Sequence, residues 1–180
     1  MRRPGILILI LFLGGCGGAA APEPRTFDLG LNAPTAKLPA VRIGSVRAVA
    51  PFEGTEMHYR LAWRNASEIA AFANSRWAAS PPELLRKQLL RATGDGSGRC
   101  SLEIEVHEFT QVFASKEASE ARVEIRVSLT HAAGIASRGM TIVELKGGLD
   151  AAAGAAAFAR AVDRVIGEIS GWVAAQPGCR

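Results

Sequence analysis

The most reactive side chains in this 180-residue chain are three cysteine thiols, Cys16, Cys100 and Cys179. A thiol can be alkylated, pair with another thiol or hold a soft metal, and its surroundings decide which. Cys16 follows Leu13-Gly14-Gly15, directly after an unbroken apolar run from Ile6 to Leu13. Small flanking residues leave its sulfur open to an alkylating partner. Cys100 and Cys179 form an even pair behind what reads as an export signal, which suggests a disulfide, with two unpaired thiols as the alternative. Such a bridge would pin the C-terminus to the start of a strand and stabilise by about 4 kcal/mol at most through the unfolded chain.

Other chemistry finds little support. His58, His107 and His131 lack the spacing of zinc ligands or of a nucleophile's base. Glu103 and Glu105 share a strand face as paired carboxylates would, yet alternating Glu on a polar face is the ordinary solvated surface of a half-buried strand. Gly94-Asp-Gly-Ser-Gly98 has neither the lysine nor the following helix of a phosphate loop. Trp63, Trp77 and Trp172 could line an aromatic ligand site, but each shares a face with aliphatic residues, which favours core packing. The residues therefore describe a non-enzymatic domain with no cofactor or metal motif.

The N-terminal signal is stronger. Arg2 and Arg3 precede the apolar run, and small residues follow it, the pattern of a secretory signal peptide. Eight apolar residues rise only ~12 Å in a helix, too little for a ~30 Å hydrocarbon core. Leu13-Gly14-Gly15-Cys16 resembles the bacterial lipobox, which implies removal of residues 1–15, a diacylglycerol thioether on Cys16 and an acylated amino terminus. Several acyl chains anchor firmly, at about 0.8 kcal/mol per buried CH₂. Gly17, rather than an aspartate, follows the cysteine, and by resemblance to known sorting rules this implies the outer membrane. Residues 16–25 are small and proline-containing and read as a tether. Residues 26–180 read as a single domain.

Without residues 1–15 the chain has 19 basic and 17 acidic residues, so the formal charge falls from +4 to +2. The high pI is therefore no argument for nucleic acid, and no Lys/Arg run supports such a partner.

The elements that must position these residues follow from periodicity. Residues 41–49 are β-branched and small, a strand ended by Pro51. Residues 57–64 alternate Met57, Tyr59, Leu61 and Trp63 against polar positions, and residues 68–77 return as the second arm of a hairpin. Ser80-Pro81-Pro82-Glu83 predicts a helix start with a capping box, and Leu84, Leu85, Leu89 and Ala92 form its apolar face. Leu102, Ile104 and Val106 alternate, then Phe109 breaks parity, which predicts a bulge near Glu108. Val123, Ile125, Val127 and Leu129 form a clean half-buried strand, and residues 138–145 a further one. From Asp150 to about Ala175 one helix carries Phe158, Val162, Val165, Ile166, Ile169, Trp172 and Val173 on one face, with Arg160, Arg164 and Glu168 facing away. The order β-β-β-α-β-β-β-α predicts an α+β fold: a mostly antiparallel sheet with two helices packed on one face.

Several segments resemble one family: Thr26-Phe-Asp-Leu-Gly30, Met57-His-Tyr-Arg-Leu61, Ser75-Arg-Trp-Ala78, Ser80-Pro-Pro-Glu-Leu-Leu85, Glu108-Phe-Thr-Gln-Val-Phe113 and the strand from Ala121 to Leu129. In order and spacing the chain from Thr26 to Val173 is similar to the ABC-type transport auxiliary lipoproteins, the paraquat-inducible protein C-like group. Departures are Phe27, where a tyrosine is common, and the alanine-rich residues 151–157. The resemblance implies an outer-membrane lipoprotein facing the periplasm, working with a mammalian-cell-entry-type lipid-binding protein, a permease and an ATPase to move lipid between membranes. It brings no catalytic residues and leaves open a homo-oligomer. A structural or assembly lipoprotein of another envelope complex is the alternative.

Overall fold

The computed structural model describes residues 23–94, 98–132 and 134–179, so Cys16 and the lipobox-like residues before it lie outside the described residues. The element order is β1 (Arg25–Phe27), β2 (Val41–Ala48), β3 (Glu56–Leu61), α1 (Ala62–Asn65), β4 (Ala70–Trp77), α2 (Pro81–Ala92), β5 (Cys100–Phe113), β6 (Ser119–His131), β7 (Gly134–Leu145) and α3 (Ala151–Ala174), closed by a 3-10 turn, Pro177–Cys179. The result is a mixed α+β fold around one seven-stranded sheet, ordered β1-β4-β3-β5-β6-β7 with β2 also paired to β5.

The sheet corrects the expectation of mostly antiparallel pairing. The β3–β4, β5–β6 and β6–β7 pairs are antiparallel, but β1–β4, β2–β5 and β3–β5 are parallel. Hairpin spacing is visible in a sequence, whereas these parallel pairs join strands far apart in it. β1 was hidden for the same reason: three residues carry no period, and only pairing with Ser75, Arg76 and Trp77 makes them a strand. Two boundaries also move. The strand expected over residues 57–64 stops at Leu61, and one helical turn follows. The last strand starts at Gly134, earlier than the expected Arg138.

β5 is the axis. β6 pairs along its whole length, while β2 occupies its other edge from Cys100 to Val106 and β3 from Thr110 to Phe113. The register slips between Val106 and Glu108, where the parity break predicts a bulge. Before the slip Leu102, Ile104 and Val106 are buried; after it Phe109, Gln111 and Phe113 are. Across β6, Val123, Ile125, Val127 and Leu129 are at most 3% exposed, so this face is the sheet side of the core.

α3 packs on β6 and β7, α2 on β2 and β5, and the two helices touch. The Asp150 side chain caps α3 by accepting from Ala153 N at 2.8 Å. Ser80 occupies the N-cap of α2 but makes no side-chain cap bond. Pro81 and Pro82 follow it, so position N2, one of the two usual donors to a cap, has no N–H to give. Phe158 of α3 stacks on Phe109 at 4.3 Å, and Trp77 meets both rings edge-on at 5.4 and 5.5 Å. Cys100 and Cys179 are joined by a disulfide, with Cα atoms 5.5 Å apart.

One buried polar group holds the start of α3. Gln111 Nε2 donates to Ser119 Oγ and Gly147 O at 2.9 Å and reaches Gly148 O at 3.1 Å. Gly154 passes over its amide so closely that a Cβ there would fall 2.2 Å from Gln111 Oε1.

Two substitutions test this packing by thermal melting. Ile169, wholly buried, contributes about 2–3 kcal/mol by burial, and Ile169→Asp adds the cost of a desolvated carboxylate. It should unfold the domain or strongly lower its Tm, whereas Glu168→Ala on the exposed side should leave Tm unchanged. Gln111→Leu should cost about 1–3 kcal/mol, because it strands the buried Gly147 carbonyl, while Gly148 O keeps the Ser119 hydroxyl.

Candidate functional site

The carboxylates and histidines singled out in the sequence find structural explanations, while Asp95-Gly96-Ser97 of the glycine-rich loop lies outside the described residues. Glu105 pairs with Arg47 at 2.7 Å on the outer face of the sheet, and the Arg47 hydrogen bond holds its carboxyl below the usual range. Glu103 beside it is exposed. An ion-paired, ionised glutamate and a solvated one do not make an acid/base couple. His58 packs edge-on against Phe52 at 5.6 Å, and burial lowers its pKa despite Glu56 and Glu108 nearby. His107 Nε2 lies 2.9 Å from Glu105 Oε1. His131 rests under the C-terminal turn, where a Cβ on Gly178 would fall 2.6 Å from its Nδ1. Among the described residues no group of three His, Cys, Asp or Glu side chains could hold a metal.

The tryptophans separate. Trp77 is core and Trp172 is half-buried near the end of α3. Trp63 corrects the core expectation: the strand ends before it, and it stands 46% exposed on α1, with Lys116 Nζ 5.6 Å from its ring.

What the sequence did not disclose is a groove of about 680 Å³ between α3 and the segment of residues 28–35. Its floor is made by Ala155, Ala156, Ala159 and Val162 of α3, with Leu29 and Pro34 opposite. The alanine-rich start of α3, a departure from the family pattern in the sequence, is what leaves the space open. A run of larger apolar residues there would fill it.

The chain segment facing α3 is a strap tied at both sides. Asp28 Oδ1 accepts from Gly30 N at 2.7 Å, a tight turn that Gly30 completes at φ +82°. Lys87 of α2 pairs with Asp28 at 3.5 Å, and Arg91 donates to Leu31 O. On the α3 side, Asp163 accepts from Thr35 N at 2.7 Å and Thr35 Oγ1 at 2.8 Å, and Ser170 Oγ donates to Lys37 O at 2.6 Å. The groove is thus roofed by hydrogen bonds to side chains that no local periodicity reveals.

Its remaining rim is ionic. Arg160 Nε lies 2.8 Å and Arg164 Nη1 3.3 Å from the Glu144 carboxylate, and Arg164 Nη1 also donates to Val143 O at 2.9 Å. Both arginines are exposed, as the helical period predicts, but they fasten α3 to β7 rather than pointing into free solvent. Their hydrogen bonds, Arg160's above all, hold Glu144 below the usual carboxylate range. Asp28, Glu144 and Asp163 line the groove together with Arg160 and Arg164, three carboxylates and two guanidiniums, so the rim has no cationic excess. A phosphate-selective site would need one. The chemistry instead suits an apolar body with an uncharged or zwitterionic end, and the volume lies in the ~300–1,000 Å³ range of small-ligand sites.

Glu144→Gln should lower Tm at neutral pH by loosening the α3–β7 fastening. Because the folded pKa is depressed, this contribution exists above the unfolded carboxylate's pKa and disappears as pH falls through the folded value. The gap in Tm between the parent and Glu144→Gln should therefore close in acid. A gap independent of pH would contradict the ionic assignment.

No family model and no curated protein matches the chain. Solved structures share its fold, among them the following two. A Xanthomonas campestris protein described as DUF330 aligns with TM-score 0.64 and 24% identity over 78% of this chain and 92% of its own. A second crystal structure, of an uncharacterised protein, aligns with TM-score 0.67 and 12% identity over 84% of this chain and 99% of its own. At those identities what is shared is the α+β fold, and the chain is similar to these proteins in that respect.

Proposed function

We propose that this chain is a lipid-anchored outer-membrane protein facing the periplasm. In that reading it serves as the auxiliary component of an ABC-type, mammalian-cell-entry-linked system that moves lipid between the inner and outer membranes. The lipobox-like Leu13-Gly14-Gly15-Cys16 and the family resemblance supply the anchor and the setting. The observation that carries the reading is the groove: about 680 Å³, floored by alanine and valine, roofed by the strap and rimmed without cationic excess. An acyl chain needs an apolar trough and no catalytic group. A purely structural or assembly lipoprotein needs no trough at all. The partners in this reading are a lipid-binding periplasmic protein, a permease and an ATPase, with no catalysis by this chain.

Two experiments test it. Cys16→Ala should leave an unprocessed precursor that no longer fractionates with the outer membrane. Unchanged mass and fractionation would end the anchor. Affinity capture of the mature protein from crosslinked envelopes should recover the lipid-binding protein and permease of one transporter. Recovery of a different envelope machine alone would move the assignment to the assembly alternative.

A further inference from the structure

One end of the sheet collects features that the groove does not use. β3 runs parallel to β5 with Leu61 opposite Phe113, so α1 emerges where β5 ends. β6 begins there, with Ser119 opposite Phe113, and β7 ends there, with Leu145 opposite Glu120. Trp63 on α1, Lys116 in the β5–β6 turn, and Lys146 and Leu149 after β7 therefore share this end. Trp63 is 46% and Leu149 58% exposed. Ile135, 73% exposed, stands at the β6–β7 turn, the opposite end.

The N-terminal segment points to the same place. β1 is parallel to β4, and β4 starts at Ala70, opposite Tyr59 near the end of β3. The chain consequently reaches Arg25 from the α1 end of the sheet. Cys16 is nine residues before Arg25, a reach of at most ~30 Å when extended. The stretch of β4 from Ser75 back to Ala70 takes up only ~17 Å of that.

We infer that this end, with Trp63 at its tip, rests in the headgroup layer of the membrane that carries the anchor. The inference depends on Cys16 being lipidated and adds an orientation to it. An indole has an apolar body and one N–H donor, and it settles where hydrocarbon meets water. Arg64, Lys116 and Lys146 are matched by Glu68, Glu117 and Asp150 at the same end, so contact comes from the indole and Leu149 rather than from attraction to anionic lipid. With Trp63 down, the C-terminal end of α3 points away from the bilayer. Trp172 sits 21 residues beyond Ala151, ~31 Å along the helix, and serves as an internal control.

The test uses the full-length mature lipoprotein in vesicles of phosphatidylethanolamine and phosphatidylglycerol that carry brominated acyl chains, which quench nearby tryptophan. The parent should lose about twofold more of its emission than Trp63→Phe, as expected for an interfacial indole. Trp172→Phe, which removes an emitter far from the bilayer, should lose at least as large a fraction of its emission as the parent, and added salt should change nothing. Equal quenching of the parent and Trp63→Phe in protein that floats with the vesicles would overturn the surface and leave the anchor standing. Failure to float would overturn the anchor and the surface with it.

Discussion

Everything in this fold is referred to β5, whose two edges are occupied at once by strands of different origin. One long antiparallel partner, β6, runs along one edge, while β2 and β3 share the other end to end. A single ladder cannot keep one face toward the core across that junction. The bulge between Val106 and Glu108 resolves the conflict by shifting the register, after which every residue from Phe109 to Phe113 is buried and the odd ones take over the core face. Phe109 then meets Phe158 and Trp77, and Gln111 meets the carbonyls that precede α3. Without the shift, Gln111 would face outward and the first turn of α3 would lose its seat.

The seat of α3 in turn determines the groove. Gln111 and Asp150 fix where the helix begins, and Glu144 with Arg160 and Arg164 fixes its distance from β7. With the helix held from both sides, small residues at Ala155, Ala156 and Ala159 leave a permanent trough instead of drawing neighbours in. The strap closes over it through Asp163 and Thr35. The strap's hydrogen bonds to Asp163 and Ser170 are exposed to water, although Leu29 and Pro34 anchor it by burial, so its exposed residues 30–33 are the part of it best suited to open. Entry of an elongated apolar ligand from that side would require release of those contacts.

Much of the architecture was legible because it is local. The bulge near Glu108, the apolar faces of α2 and α3, the Asp150 start of α3 and the β3–β4 hairpin all follow from spacing within short windows. What was not legible depends on distant partners. The parallel pairs of β5 with β2 and β3 leave no local trace, nor does β1, which exists only because of β4. Trp63 continued an alternating pattern that ended two residues earlier, and periodicity carries no marker for where a partner strand stops. The groove was the least legible of all. Alanine on a helix reads as neutral composition, and only the placement of the strap by Lys87, Arg91 and Asp163 turns missing volume into a site.

The central claim is that this missing volume holds an acyl chain, and native mass spectrometry of the mature protein purified from its membrane addresses it directly. The account predicts a noncovalent adduct of phospholipid mass on the parent. It also predicts the loss of that adduct in Ala159→Trp, whose indole fills the floor while the melting temperature stays near the parent's. A parent with no adduct, or an adduct equally abundant in Ala159→Trp, would contradict it.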